Sequence, residues 1–319
     1  MKKEKMIYLF IASLLITGLI MAETSPLAAA DKRFRLGMSL PASDNPFWTA
    51  VRRGAEAKAK ELNVDLLVKV ADENQVKQLK DVEDFIQMKL DLIMVSAIER
   101  EGSQRVFEAC KAAGIPTIAV GRGTVSDLQL FWIGFDEYRV GVIFAEWAVK
   151  KFPNGCKLAW LRGPAGAGSF LDMEKGGMSI WEKNPQIKIV YKQAGRDNRP
   201  TGMKLAEDAL QAFPKGQLDV IIGGNDELGL GALSAVEAAG RTEVLVTGTN
   251  GTSDALAAVK KGRLAMTVGK PSGLFGLRAV EQALEYFKGK RDFVKKQYIE
   301  PVPITSENID KIDTTWTPK

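Results

Sequence analysis

Short apolar runs alternate with longer amphipathic stretches along almost the whole chain, and this alternation limits the possible folds more than any other feature. The apolar runs predict buried strands, and the amphipathic stretches have the length and periodicity of helices. Such an alternation is typical of a parallel sheet covered by helices. The predicted strands are residues 34–40, 64–70, 92–96, 117–120, 130–134, 157–161, 187–191, 220–222, 244–247 and 265–268, and the predicted helices include 47–62, 74–88, 104–113, 206–213, 227–239 and 274–288.

The first five and the last five predicted strands form two similar series. The segment EACKAAG at 108–114 precedes a strand that ends at Gly121-Arg122, and SAVEAAG at 234–240 precedes one that ends at Thr249-Asn250. A chain of 319 residues has room for two domains of ordinary size. We therefore predict an α/β protein made of two similar doubly wound parallel-sheet lobes, joined by a three-crossing hinge.

Short crossings are expected to form the hinge, because no Pro-rich or Ser-rich linker separates the two series. We place the crossings near Phe135, at Lys270-Pro271 and at residues 300–303, so that helix 274–288 returns to the first lobe. The predicted boundaries are 1–30 for a signal peptide, 31–134 plus 271–300 for the N-terminal lobe, and 135–270 plus 301–319 for the C-terminal lobe.

The first thirty residues predict a secretory signal peptide. A charged start at 1–5 precedes an apolar stretch at 6–22, and Ala28 and Ala30 provide the small residues of a cleavage site. A signal anchor is the alternative, because the apolar stretch approaches the length of a membrane span. No cysteine precedes Cys110, so we predict a periplasmic protein that is exported by a cleaved signal peptide and is not lipidated. Cys110 and Cys156 are expected to be buried and unbridged.

The composition excludes several kinds of chemistry. The chain has no histidine, which removes Ser-His-Asp and Cys-His nucleophile systems and His-ligated zinc, and two cysteines are too few for an iron–sulfur cluster. The net charge of +5 is too small and too scattered for a nucleic-acid footprint. Residues 163–168 imitate a phosphate loop, but Ser169-Phe170 stands where Lys and Ser/Thr are required. We therefore predict a protein that is not an enzyme and needs no cofactor or metal.

Polar side chains follow most of the predicted strands. In open parallel sheets, ligands bind outside the carboxyl ends of the strands, where loops and helix N-termini converge. Asn45 and Asn225 also suit the N-cap position of the next helix, so capping is the alternative role for each. The strand-end candidates are Asn45 after the first strand, Arg122 after the fourth, Asp197 after the seventh, Asn225 after the eighth, Asn250 after the ninth and Lys270 after the tenth.

Two adjacent aromatic residues, Phe47 and Trp48, begin the first predicted helix. Taken singly, each would be expected in the core. Neighbours at a helix start cannot both face the core, so we expect one of them to project into the crevice. An aromatic face that packs on sugar C–H groups, beside Asn, Asp, Arg and Lys side chains that bind hydroxyls, makes a site for a polyhydroxyl compound.

At these residues the chain resembles the periplasmic sugar-binding proteins of the ribose/galactose type, which have the type I periplasmic binding fold and supply ABC importers. The resemblance covers about residues 34–302. It implies that Asn45, Phe47 and Trp48 line the first lobe's wall, that Arg122 binds ring or hydroxyl oxygens bidentately, and that Asn225 and Asn250 close from the second lobe. The stretches that carry it are DNPFW at 44–48, GIPTI at 114–118, GGNDELGLGA at 223–232 and VTGTNGT at 246–252.

The sequence departs from the ribose-binding pattern at several of these positions. Gly121 precedes Arg122 where the family has Asp, Asn250 replaces an Asp, and Lys270 replaces a Gln. Asp172 and Asp197 stand where the family has an Arg and a Phe, with an alignment that is uncertain by one residue. We therefore expect a ligand other than plain ribose: a sugar, polyol or modified sugar with an unusual charge or hydroxyl pattern.

The predicted function is capture of this small molecule between two closing lobes and delivery to an inner-membrane ABC permease, by a protein expected to be a monomer that binds no nucleic acid. The first alternative is a periplasmic binding protein that presents its ligand to a membrane sensor kinase. The second is a secreted hydrolase with Asp172 and Asp197 as paired carboxylates.

Overall fold

A computed structural model describes residues 33–313, so the predicted signal peptide and residues 314–319 lie outside the described part of the chain. Strands and helices alternate as the apolar pattern predicts. The strands are β1 (Arg35–Leu40), β2 (Asp65–Val70), β3 (Leu92–Val95), β4 (Thr117–Val120), β5 (Trp132–Phe135), β6 (Cys156–Arg162), β7 (Ile187–Ala194), β8 (Val220–Gly223), β9 (Leu245–Asn250), β10 (Met266–Gly269), β11 (Lys296–Ile299) and β12 (Val302–Ile304). The α-helices are α1 (Pro46–Glu61), α2 (Gln75–Gln87), α3 (Gln104–Ala112), α4 (Glu137–Lys151), α5 (Gly168–Trp181), α6 (Arg199–Ala212), α7 (Asp226–Ala238), α8 (Ser253–Lys260) and α9 (Gly273–Phe287).

Two six-stranded sheets organise the described chain, in the orders β11-β5-β4-β3-β1-β2 and β12-β10-β9-β8-β6-β7. All neighbours are parallel except β12, which runs antiparallel to β10. The chain leaves the first sheet after β5, returns after β10 and crosses again between β11 and β12. The predicted fold class of two similar parallel-sheet lobes with a three-crossing hinge is confirmed.

Alternate residues of β6 show why the second lobe is covered on both faces. Leu158 and Trp160 pack into one apolar cluster with helices α4 and α5, while Ala159 and Leu161 pack into another with α6, α7 and α8. Successive side chains of a strand point to opposite faces, so the apolar run 158–161 requires helices on both sides.

Asparagine side chains fix where four helices begin. Asn45, Asn74, Asn198 and Asn225 each accept a hydrogen bond from a backbone N–H of the first turn, and proline follows in the first turns of α1 and α6. An Asn cap removes one of the unpaired donors at a helix start, and proline lacks the N–H that would otherwise be unpaired there. Two of these caps, Asn45 and Asn225, are also candidate site residues.

Several predicted elements need correction. Helix α6 begins at Arg199 rather than at 206, because Asn198 caps it and Pro200 opens it. Helices α4, α5 and α8 and strands β11 and β12 have no counterpart among the predicted ranges; α4 is apolar on most of its surface and the two strands are short. Cys110 and Cys156 are buried and free, as expected. Within residues 33–313, no helix combines the length and apolar character that a membrane crossing needs.

Candidate functional site

The carboxyl ends of strands from both sheets face one another across a cavity that holds about 380 Å³ not filled by protein atoms, its open mouth included. Most of the cavity wall comes from loops and helix starts that follow strands. Its lining residues are Asn45, Phe47, Trp48, Gly121, Arg122, Glu137, Ser169, Phe170, Met173, Asp197, Gly224, Asn225, Asn250 and Lys270. We call this cavity the cleft.

Asn45 serves both of the roles that the sequence left open. Its Oδ1 accepts the backbone N–H of Phe47 at 3.0 Å and so caps α1. Its Nδ2 donates across the cleft to the backbone oxygen of Asp197 at 3.1 Å and to the Asp197 carboxylate at 3.2 Å. Capping fixes the orientation of the amide, so the remaining donor is aimed at the second lobe.

Phe47 and Trp48 both line the cleft. Their rings meet edge to face with centroids 4.8 Å apart. Phe47 also lies 6.1 Å from Phe275 and 6.4 Å from Phe135, so its far side belongs to an aromatic cluster of the first lobe. The pair therefore forms an apolar wall with one ring supporting the other.

Arg122 is 3% exposed and its guanidinium is held between two carboxylates. Nη1 and Nη2 donate to the two oxygens of Glu73, each at 2.8 Å, and Nη2 also donates to Asp197 at 3.1 Å. The guanidinium lies 5.5 Å from the Trp48 ring centroid. In this structure the guanidinium makes its bidentate contact with Glu73 of the same lobe, and the contact with ring or hydroxyl oxygens that the resemblance implies stays a prediction.

The second lobe contributes Asp197, Asn225, Asn250 and Lys270 to the cleft. Asn225 caps α7 through Oδ1 and donates from Nδ2 to the backbone oxygen of Asp197 at 3.1 Å. Asn250 has a φ of 131°, a strained conformation for a residue other than glycine. Lys270 donates to Glu137 at 2.7 Å, and both side chains are nearly buried.

Asp172 is the one sequence candidate that the structure does not bring to the cleft. Its side chain is 41% exposed and pairs with Arg100, beside a separate groove at the edge of the lobes. Ser169, Phe170 and Met173 of the same helix line the cleft instead. A helix turns about 100° per residue, which points position 172 about 160° away from 170 and about 100° away from 173. Because Asp172 and Asp197 do not share this cavity, the carboxylate pair required by the hydrolase alternative is not formed there.

Two carboxylates of the site, Glu73 and Glu137, were missed in the sequence. Glu73 follows β2 and Glu137 follows β5, so both obey the strand-end rule that identified the other candidates. A position directly after a strand is thus the sequence signal that identifies both.

Burial shifts the pKa of three of these groups. It raises the pKa of the Asp197 carboxyl above its usual value, although the charge of Arg122 acts in the opposite direction. Burial likewise raises the pKa of Glu137 against the influence of Lys270. Burial alone would lower the pKa of Arg122, but Glu73 and Asp197 outweigh this effect and the pKa rises. The cleft thus holds carboxylates whose charged forms are costly and a guanidinium that stays charged.

Comparisons with known proteins agree with this architecture. Residues 36–291 match a family model described as the periplasmic binding protein domain. The ribose import binding protein of Bacillus subtilis is 29% identical over 276 residues, covering 86% of this chain and 88% of that protein.

Two solved structures are similar over nearly their full length. The periplasmic binding protein component of the arabinose ABC transporter from Shewanella sp. ANA-3, bound to L-arabinofuranose, has a TM-score of 0.82 and 28% identity, covering 87% of this chain and 93% of that one. The Caulobacter myo-inositol binding protein has a TM-score of 0.83 and 27% identity, covering 90% of this chain and 98% of that one. Both were solved with their ligand bound.

Proposed function

This chain belongs to the periplasmic binding protein family, and from that premise we propose that it captures a sugar, polyol or modified sugar in the cleft and delivers it to an ABC importer. One observation carries the proposal. Asn45, Trp48 and Arg122 from the first lobe and Asp197, Asn225, Asn250 and Lys270 from the second line a single cavity between the carboxyl ends of both sheets. Few arrangements other than a solute site explain so many buried polar groups gathered from distant parts of a chain.

Each wall has a distinct role in the proposed mechanism. Phe47 and Trp48 provide flat apolar surface for the C–H face of a sugar or polyol ring, and the asparagine amides offer donors and acceptors to its hydroxyls. A ligand that contacts both lobes stabilises the closed arrangement over the open one by its differential affinity. Closure then creates the surface that the permease recognises.

Delivery to a permease is favoured over presentation to a sensor kinase because the similar proteins are import binding proteins or transporter components. Binding without chemical conversion fits the same relatives. We further propose a cleaved signal peptide of residues 1–30, no lipid anchor, and a monomer that binds no nucleic acid. Mass measurement of the exported protein tests cleavage after Ala30, and light scattering tests the monomer.

Binding is tested by a thermal-shift screen over pentoses, hexoses, inositols and linear polyols, followed by calorimetry on the compounds that bind. Ligand at one hundred times its Kd adds roughly 2.7 kcal/mol to the free energy of unfolding, which raises the Tm measurably. The expected result is a shift with at least one such compound that is lost in Asn250→Ala. If no sugar, polyol or derivative shifts the Tm, the proposed function is wrong.

A further inference from the structure

The buried charges around the cleft do not balance. Lys270 and Glu137 form one neutral pair at 2.7 Å, with side chains 4% and 11% exposed. Within the described part of the chain, Glu73 and Asp197 share one cation, Arg122. The guanidinium lies 2.8 Å from the Glu73 carboxylate and 3.1 Å from the Asp197 carboxylate. The side chains of this triad are 3%, 8% and 7% exposed. With every group ionised, the triad leaves one negative charge beside the cleft.

The surroundings of Asp197 do not neutralise this charge. Its carboxylate accepts a hydrogen bond from the amide of Asn45, which is a dipole and carries no net charge. The adjacent residue Arg196 is paired with Asp44 at 3.6 Å on the surface. A further carboxylate, Asp226, lies buried behind Asn225 and is held by the Thr252 N–H and the Thr267 hydroxyl, both at 2.7 Å. Among the described residues that contact the Asp197 side chain, Arg122 is therefore the one cation, and it is shared with Glu73.

An uncompensated buried charge is costly unless a partner of opposite sign approaches it. Asp197 lines the cavity itself, so a group in the cleft is able to approach the carboxylate directly. An ammonium group there would convert the triad into two matched pairs, and the aromatic wall of Phe47 and Trp48 would stabilise the same charge through its ring faces. A carboxylate or phosphate in that place would instead increase the imbalance.

We propose that the ligand carries a positive charge: it is an amino sugar or amino polyol whose ammonium group pairs with Asp197. This inference rests on the proposed function and names the class of ligand that the cleft selects. The hydroxyls of the ligand then face the asparagine amides, and the ammonium faces the triad of Glu73, Arg122 and Asp197.

The test compares compounds that differ in one group. The pairs are glycerol with serinol, D-glucose with D-glucosamine, and D-glucitol with D-glucamine, and D-glucuronate adds an acidic arm. Calorimetry at pH 7 measures the Kd of each for the full mature protein. We expect at least one amine to bind ten times more tightly than its neutral partner, and glucuronate to bind no better than glucose.

Variants then assign the preference to the triad. Asp197→Asn keeps the size of the side chain and an acceptor for Asn45, and it should reduce the amine-to-neutral affinity ratio at least tenfold. Glu73→Gln removes the other carboxylate and should change the ratio in the same direction, which keeps the test valid if one variant folds poorly. Asp208→Asn is the matched control, because it makes the same charge change on an exposed pair with Lys204 and should leave the ratio unchanged.

The outcomes are distinguishable. Neutral members that bind as tightly as their amines, or an unchanged ratio in both Asp197→Asn and Glu73→Gln, would overturn the positive charge while the proposed function stands. Tightest binding by glucuronate would do the same. If none of these compounds binds while a neutral sugar or polyol of the thermal-shift screen does, the positive charge is overturned and the proposed function stands.

Discussion

Single side chains in this cleft serve the helix and the site with different atoms. Asn45 and Asn225 each accept a capping hydrogen bond through Oδ1 and donate through Nδ2 to Asp197. An amide is suited to both tasks because it carries an acceptor and two donors in one rigid plane. A residue that caps a helix is therefore also able to contact a ligand. An asparagine at a strand end is a candidate for both roles, the helix cap and the ligand contact.

Replacement of Trp48 tests the aromatic wall. Trp48 is 3% exposed and lines the cleft, so Trp48→Ala removes the surface against which a ring would pack. We expect the Kd to rise at least about 30-fold, because loss of a buried aromatic contact typically costs about 2 kcal/mol or more of binding. Trp147→Ala, on a partly buried tryptophan that packs against Phe152 in the second lobe, should leave the Kd unchanged. Equal losses of affinity in both variants would contradict the assignment.

Asp226 should make the stability of the protein pH-dependent. Burial raises the pKa of its carboxyl from 3.8 to about 6, and the hydrogen bonds from Thr267 and Thr252 offset only part of this effect. Between these values the folded protein holds a proton that the unfolded chain releases, so the free energy of unfolding falls as pH rises from about 4 to about 6. The loss amounts to about 3 kcal/mol at pH 7.

Urea unfolding of Asp226→Asn at pH 4 and pH 7 measures this contribution. The amide does not ionise, so the variant should gain stability relative to the natural protein by about 2.5 kcal/mol between these pH values. A difference in free energy that is the same at both pH values would show that Asp226 does not titrate in this range.

At the residue scale, the sequence predicts a side chain well where its position follows from the strand order. Asn45, Arg122, Asp197, Asn225, Asn250 and Lys270 all follow a strand and all line the cleft. Glu73 and Glu137 follow strands as well and were accessible to the same argument. The prediction for Asp172 rests on a family resemblance whose alignment is uncertain by one residue, and one residue on a helix changes the direction of a side chain by about 100°.

At the scale of elements, three helix pairs approach one another through glycines. In α4 and α5, a Cβ on Gly141 would lie 1.8 Å from the Met173 oxygen, and one on Gly176 would lie 1.9 Å from the Tyr138 oxygen. The pair α6 and α7 uses Gly202 and Gly231 in the same way, and α1 and α9 use Gly54 and Gly276. Since each helix presents a glycine to the backbone of its partner, the axes approach more closely than any side chain would allow.

Gly176→Ala should therefore destabilise the second lobe. Alanine favours a helix over glycine by about 1 kcal/mol, but an added methyl group that cannot fit typically costs about 1–3 kcal/mol and often more where backbone is in the way. We expect a net loss of about 1–2 kcal/mol in the free energy of unfolding. Lys175→Ala, on an exposed neighbour in the same helix, is the control and should change little. A gain in stability for Gly176→Ala would mean that the helices separate at low cost.

Strand β12 and helix α4 were not predicted because their local sequence patterns are weak. Strand β12 has three residues and is defined by its antiparallel pairing with β10, which lies more than thirty residues earlier in the chain. Helix α4 is buried along most of one side and carries apolar residues on other sides as well. Its apolar residues therefore do not repeat with a clear helical period. Non-local pairing and burial on several sides are properties of the folded chain, and a pattern read along the sequence does not contain them.

At the scale of the molecule, the part of the chain that the structure describes holds its two lobes together by contacts at three places. Asp197 binds Asn45 and Arg122 at the centre of the cleft. Asp44 accepts a hydrogen bond from Asn198 at 3.3 Å on one side. On the other side, Arg100 donates to the Gly168 oxygen at 2.8 Å and pairs with Asp172, while the Gly166 oxygen accepts its backbone N–H. The closed arrangement is thus stabilised by protein contacts as well as by any ligand.

Arg100 provides the cleanest test of this closure, because it joins the lobes without lining the cleft. Arg100→Ala removes the ion pair with Asp172 and the hydrogen bond to Gly168, each worth about 1 kcal/mol where it is partly exposed. The closed state loses this free energy while the cleft residues stay the same, so the Kd should rise about tenfold and small-angle scattering should report a larger radius of gyration without ligand.

Arg241→Ala is the matched control for closure, since it removes an arginine whose ion pair with Glu243 lies within the second lobe. It should change neither the Kd nor the radius of gyration. If Arg100→Ala weakens binding without any change in the radius of gyration, the effect arises in the cleft and the contact does not act on closure. If Arg100→Ala opens the lobes and leaves the Kd unchanged, closure and binding are not coupled in this protein. When the two are coupled, the ligand binds the closed state, so a change that destabilises the closed state must also weaken binding of the ligand.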